Sequence, residues 1–219
     1  MEKIKELYWL RFSEKERRLK EELWKVLCFS FLQNYVSVND AVLDLGCGSC
    51  EFINNIRCKS KFAVDINGDI KKFADKDVNV FITNSADMRG ISSGSIDIVF
   101  ASELFEHLKN TEELFATFLE IYRVLKNGGK LIIICPNIRF LANQYWDFID
   151  HRLPLSHVSL REGLLLYNYS IIKMIPKFLP YTTKNNLPKS PNLLKLYLKL
   201  PILWGLIGKQ MFVVAKKII

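Results

Sequence analysis

Three carboxylates stand at or just past the ends of successive apolar runs: Asp44 in VLDLGCGSC (42–50), Asp65 in KFAVDI (61–66), and Asp87 shortly after VNVFITN (78–84). Glycines at 46 and 48 let the backbone turn sharply and come close to a ligand. A lone G-x-G says little, because the dinucleotide fingerprint needs a third glycine where this chain has Glu51. Carboxylates at that mouth would repel a diphosphate; they suit a ligand carrying an ammonium and a sulfonium, met directly or through water. Asp65 is placed to accept both hydroxyls of a ribose. Asp87, behind Ser85-Ala86, is placed to accept a hydrogen bond from an adenine amino group. Singly, each carboxylate is more often a helix cap or a turn residue. Together, at successive strand ends, they describe one binding crevice.

The elements that must position these groups alternate along the chain. AVLDLGC, KFAVDI, VNVFITN, SIDIVFAS (95–102) and KLIIICPN (130–137) are short apolar runs of the kind that form buried parallel strands. Helical stretches separate them. The clearest is TEELFATFLEIYRVLK (111–126), opened by Thr111, Glu112 and Glu113 and expected to end at Asn127-Gly128-Gly129. YSIIKMIPKF (169–178) and KQMFVVAKK (209–217) add two further strands around a Pro-punctuated segment. Such alternation predicts a doubly wound sheet. Residues 1–36 carry apolar positions, among them Ile4, Leu7, Tyr8, Trp9, Phe12 and Trp24, at helical spacing. We therefore expect a helical cap over 1–38 and one domain over 39–219, including a basic amphipathic insertion at 179–208.

VLDLGCGSCEF, FAVDIN, NSADM, SIDIVFASELFEHL and RVLKNGGKLIIICPN resemble, in order and spacing, the successive motifs of class I S-adenosylmethionine-dependent methyltransferases over about residues 40–137. The resemblance implies a Rossmann-like, seven-stranded, mostly parallel α/β sheet with helices on both faces and one antiparallel edge strand. It implies S-adenosylmethionine as cofactor and S-adenosylhomocysteine as product. By it, Asp44, Gly46, Cys47 and Gly48 hold the methionine end. Asp65 and Ile66 hold the ribose and adenine edge, Ser85, Asp87 and Met88 the adenine, and Ser102 and Glu103 face the methyl group. Cys50 stands where such loops often carry a third glycine. The strings DHRLPLSHVSL and KFLPYTTKNNLPKSPNLLKLYLKLPILWGLIGKQMFVVAKK resemble a subgroup associated with bacterial glycan and glycosyltransferase systems.

Methyl transfer is an in-line displacement, so a hydroxyl acceptor asks for positioning and for a base to take its proton. The histidines are His107, His151 and His157, all beyond the fourth or fifth strand. Each is a base candidate; His107 lies nearest the inferred methyl position, and a purely hydrogen-bonding role is an even alternative. Glu103, Glu106 and His107 have the donor types to gather a divalent metal, although we expect none. Asn137 and the aromatic stretch after it, with Tyr145, Trp146 and Asp150, suggest a wall for a sugar ring; a packing loop is the bland reading.

Composition narrows the partners. Residues 139–219 carry 12 basic and 3 acidic groups within a chain of net charge +8. That excess favours an anionic partner. Lys195, Lys199 and Trp204 lie in an apolar run broken by Pro201 and could touch an anionic membrane face, or belong to a helix that covers the sheet. Five cysteines at irregular spacing, without an export signal, argue for reduced thiols and a cytoplasmic protein, peripheral to the inner membrane face at most. Cys47-x-x-Cys50 lacks a second pair for zinc. The expected activity is O-methylation of a small molecule, sugar or lipid-linked glycan by a monomer or homodimer. An RNA methyltransferase and a non-catalytic cofactor-binding subunit are the alternatives. No arginine-rich run follows Arg161, so a nucleic-acid partner is not expected.

Overall fold

In a computed structural model, residues 13–181 and 190–218 are described. The apolar positions before Ser13, and residues 182–189 of the anticipated insertion, lie outside them. The seven expected strands form one sheet in the order β3-β2-β1-β4-β5-β7-β6. They are β1 Ala41–Leu45, β2 Ser60–Asp65, β3 Val78–Ile82, β4 Ile96–Ser102, β5 Leu125–Pro136, β6 Tyr169–Ile175 and β7 Gln210–Lys217. The first five run parallel, and β7 runs antiparallel to both β5 and β6. Chain order reverses between β1 and β4, which opens a crevice at the carboxyl ends of those strands.

Two-residue periodicity splits each central strand between two cores. Leu43, Leu45, Val99, Ala101, Leu131, Ile133 and Val213 face one side, with Phe118 and Ile121. The latter two belong to helix α3, Thr111–Val124. Val42, Ile98, Phe100, Ile132, Ile134, Phe212 and Val214 face the other, with Leu27, Phe31, Phe178 and Trp204. That second layer is roofed by α1 (Glu14–Ser30), α2 (Glu51–Asn55), α6 (Pro191–Lys199) and α7 (Pro201–Ile207). The short helix α4 (Ile138–Leu141) and helix α5 (His157–Leu166) complete the set.

Local chemistry explains the helix starts. Ser13 and Glu16 form a reciprocal capping box, with the Ser13 amide donating to Glu16 Oε2 at 2.7 Å. Asn110, not Thr111, caps α3, its Oδ1 accepting from the Glu113 amide at 3.0 Å. The helix stops at Val124, two residues before its expected end, because β5 begins at Leu125. Asn127-Gly128-Gly129 then forms a bulge within the strand pairing: a Cβ on Gly129 would stand 2.9 Å from the Lys126 carbonyl and 3.1 Å from that of Asp97. Between β3 and β4 there is no helix; Arg123 pins that turn instead, donating to the carbonyls of Met88 at 2.8 Å and Ile91 at 2.9 Å.

Candidate active site

The parallel ladder ends where β1 meets the glycine loop. The amides of Gly46 and Cys47 both donate to the Val64 carbonyl, at 2.8 and 3.3 Å, and the loop then turns through Gly46 (φ +73°), Gly48 (φ +52°) and Cys50 (φ +62°) into α2. A side chain at position 46 would strike Leu104 at 2.9 Å, whereas a Cβ on Gly48 would have open space around it. The Gly48 amide donates to Asp65 Oδ2 at 3.0 Å and the Asn67 amide to Asp65 Oδ1 at 2.8 Å, so one carboxylate ties the first two strand ends together. Ile66 follows it, 59% exposed at the rim.

Beneath this loop sits a charge imbalance. Asp44 is buried, and burial holds its carboxyl well above the usual range; the Glu51 carboxylate adds to the shift, and the Ile53 amide opposes it. Glu51 is also buried and takes the ammonium of Lys20, from α1, at 2.9 Å. Among the described residues, the two buried acids thus share one nearby cation, Lys20. A ligand ammonium beside Asp44 would complete the pairing, with the glycine backbone giving close approach and Asp65 offering its free lone pairs to a ribose. This donor set fits S-adenosylmethionine. Lys20 has no local sequence signal, since it reaches the loop only through the packing of α1 on α2.

Cys47 and Cys50 are both buried with sulfurs 3.9 Å apart, and all cysteines among the described residues are free. Cys50 bonding, burial and the Asp44 charge push the Cys47 thiol up, away from the reactive thiolate. Past β3, Met88 is buried and its amide donates to Glu120 Oε2 at 2.7 Å. Ser85 Oγ lies 2.9 Å from Thr117 Oγ1. Asp87 receives Arg89 on both oxygens, at 2.7 and 2.6 Å, and this pairing holds its carboxyl below the ordinary value.

Past β4, Ser102 leads to Glu103 at φ +50°, whose amide donates to the Ile134 carbonyl at 2.9 Å and whose carboxylate receives the Gln210 amide. Leu104, the residue against Gly46, sits three positions before His107, which links the glycine loop to the histidine. His107 Nδ1 lies 3.1 Å from the Asp150 carbonyl and 3.5 Å from its carboxylate. His151 meets His107 edge to face, with ring centroids 5.1 Å apart, and lies among Tyr145, Phe148 and Tyr181. Amides of Arg152 and Leu153 clamp this loop by donating to the Glu106 carbonyl at 2.8 and 3.1 Å.

The fold therefore brings His107, Asp150, His151 and Tyr145 into one cluster. His157 bonds elsewhere: its Nδ1 accepts from Asn137 Nδ2 at 2.9 Å, its ring stacks on Phe140, and burial followed by the Arg139 charge lowers its pKa. Asn137 is fully buried and also donates to the Pro176 carbonyl, while Tyr145 is buried with its hydroxyl on the Leu153 carbonyl at 2.7 Å. Trp146 is 57% exposed beside Tyr145. Tyr181, buried against Phe148, gave no signal in the sequence.

Residues 43–133 match a family model described as a methyltransferase domain. No curated protein sequence matches the chain. Among solved structures, a SAM-dependent methyltransferase from Archaeoglobus fulgidus is 24% identical, with 90% of this chain and 94% of that chain covered and a TM-score of 0.66. A methyltransferase from Haloferax volcanii, in complex with its activator Trm112, is 15% identical with 93% of each chain covered and a TM-score of 0.68. The geranyl diphosphate C-methyltransferase of Streptomyces coelicolor, in complex with Mg2+, geranyl diphosphate and S-adenosylhomocysteine, is 16% identical over 93% of this chain and 80% of that chain, with a TM-score of 0.64. These likenesses show a shared fold. The domain match spans the acid-ringed glycine loop, so this part of the chain is similar to a methyltransferase domain.

Proposed function

We propose that the chain is a class I S-adenosylmethionine-dependent methyltransferase that methylates a hydroxyl oxygen of a small acceptor, a sugar or a lipid-linked glycan. The carrying observation is the His107–Asp150–His151 cluster, built one turn beyond the residue that touches the glycine loop. Bound S-adenosylmethionine supplies a methyl group on an already activated sulfonium. The chain has to orient the acceptor and move one proton. With Nδ1–H of His107 donating to the Asp150 carbonyl, Nε2 carries the lone pair and is the proton acceptor for the incoming hydroxyl. The exposed Trp146 and the half-buried Phe148 supply ring faces of the kind that stack on a sugar.

The lipid-linked form of the acceptor draws support from the outer face of α6 and α7. Leu193, Leu196, Ile202 and Leu206 are exposed there, with Lys195 and Lys199 beside them. Of the two sequence alternatives for Trp204, lipid contact or a place in a helix that covers the sheet, its packing on Phe31 and Phe178 fits the second. No helix among the described residues is long and apolar enough to cross a membrane, so the contact proposed is peripheral, with an anionic inner-leaflet surface and a cytoplasmic enzyme.

The test is a labelled-methyl assay with purified enzyme against fractionated cell-envelope intermediates, polar metabolites and RNA. Label in a base-stable ether on a glycan or polar metabolite is the expected result. Label confined to RNA would replace this reading with an RNA methyltransferase, and saturable cofactor binding with no labelled pool would favour a non-catalytic subunit.

A further inference from the structure

Glu106, His107 and His151 each offer a ligand atom, and these atoms lie within 4.8 Å of one another. We propose that these three side chains bind a divalent first-row transition ion of borderline hardness, Zn2+ or Co2+ in preference to Mg2+, with a coordination position left open toward the acceptor. The proposal sharpens the hydroxyl-acceptor reading above only in what the ion would do; its binding stands on this chain's own side chains.

Four observations carry it. Glu106 is 3% exposed, and its Oε2 is buried without a hydrogen-bond partner among the described residues. A buried carboxylate oxygen left so is costly, and a coordinated cation offsets that cost. The charged neighbours acting on Glu106 are Glu103 and Asp150, both acidic, so the local field invites a cation. The arrangement behind His107 is that of a metal ligand, because a proton on Nδ1 shared with the Asp150 carbonyl leaves Nε2 as a lone-pair donor. Finally, the donor set is two imidazoles and one carboxylate, which suits zinc-like ions and is poor for magnesium, a cation that prefers oxygen and keeps its waters.

The geometry is near what an ion requires. Two ligands held at ~2.1 Å from a common ion stand about 3.4 Å apart in a tetrahedral site, so the widest pair here has to close by roughly 1.4 Å. Rotation of the part-exposed His107 side chain supplies such a movement, while the Arg152 and Leu153 amides fix the Glu106 backbone. Three protein ligands leave a fourth position for an acceptor oxygen, whose proton would then be lost more readily. With an ion in place, the two histidines act as ligands instead of as proton acceptors.

The experiment needs no acceptor. Chelator-stripped protein is titrated with Co2+ and Zn2+, and with Mg2+ for comparison, and read by calorimetry and by the visible absorption of bound cobalt. One saturable site is expected, with cobalt bands of low-symmetry nitrogen and oxygen coordination, and with Glu106→Gln and His107→Gln each weakening the Kd at least tenfold. S-adenosylmethionine binding measured on the same samples verifies that the variants are folded. The proposal is overturned if Zn2+ and Co2+ bind no tighter to the wild type than to either variant. It is equally overturned if a thiolate-to-cobalt charge-transfer band appears and disappears in Cys47→Ser. Loss of methyl transfer to every acceptor, with ion binding intact, would instead remove the hydroxyl-acceptor reading and leave this site standing.

Discussion

Lys20 places its ammonium 2.9 Å from the Glu51 carboxylate, directly beneath the glycine loop of the cofactor crevice. A helix that precedes the sheet thereby supplies the counter-charge for an acid at the opening of α2. Lys20→Met should cost about 1–3 kcal/mol of unfolding free energy, less than for a fully buried pair because the lysine side chain is 28% exposed. Urea melts check this, and most of the loss should be recovered in the Lys20→Met/Glu51→Gln double variant. Equal losses in the single and double variants would mean that packing, not charge, is what Lys20 contributes.

Asp44 should trade stability for ligand binding. Its folded-state carboxyl is raised above the unfolded value, so its contribution to stability is fully present below the unfolded value of about 3.9 and is lost as pH rises through the folded-state value. Above the unfolded value the raised carboxyl is a cost borne by the ligand-free protein. Asp44→Asn keeps an acceptor for the Ile53 amide and removes that cost. Thermal melts near pH 7 should therefore show the ligand-free variant more stable than wild type, while calorimetry shows S-adenosylmethionine binding weakened by about tenfold or more, the scale of one charged hydrogen bond.

The two loop glycines should respond differently. Gly46→Ala adds a Cβ 2.9 Å from Leu104 at a positive φ, whereas Gly48→Ala meets no atom within 4 Å. The second change carries only the left-handed backbone cost, about 1–2 kcal/mol. Gly46→Ala should lose more stability than Gly48→Ala, and it should also displace the turn that carries His107. Chemical denaturation together with cofactor titration tests the ranking.

His107 and His157 separate chemistry from architecture. His107→Ala should lower kcat by ~10²–10⁴-fold, the usual range for a lost proton-transfer or activating group, with cofactor affinity retained. His157→Ala removes a hydrogen bond to the buried Asn137 and should act on stability, by about 1–2 kcal/mol, with kcat little changed. Turnover and melting measurements on the same samples decide between these outcomes.

For the lipid surface, co-flotation with phosphatidylglycerol vesicles at low salt is the measurement. Wild type should float and Leu196→Asp with Ile202→Asp should not, while neutral phosphatidylcholine should bind neither. Flotation that survives both substitutions would assign the attraction to basic residues elsewhere.

Much of this was legible because strands that are buried on both faces read as apolar runs. Val42, Ile98 and Ile132 serve one core while Leu43, Val99 and Leu131 serve the other, and every strand appears near its expected place. The cofactor loop was legible for the same reason: Asp44, Gly46, Gly48 and Asp65 follow strand ends that local pattern fixes. What was hidden depends on distance in sequence. Arg123 orders the Met88 turn, Lys20 answers Glu51, and Tyr181 joins His151, each pair brought together only by packing. The bulge at Gly128-Gly129 escaped because the same dipeptide also ends helices, and only the close approach of the Asp97 carbonyl distinguishes the two.

The place of β7 bears on how this protein is born. It follows β6 in sequence, yet it lies between β5 and β6, and its first residue, Gln210, bonds the Glu103 carboxylate at the end of β4. On the ribosome, β6 has no sheet neighbour until residues 210–217 clear the exit tunnel, so the nascent chain must wait with an open edge on β5.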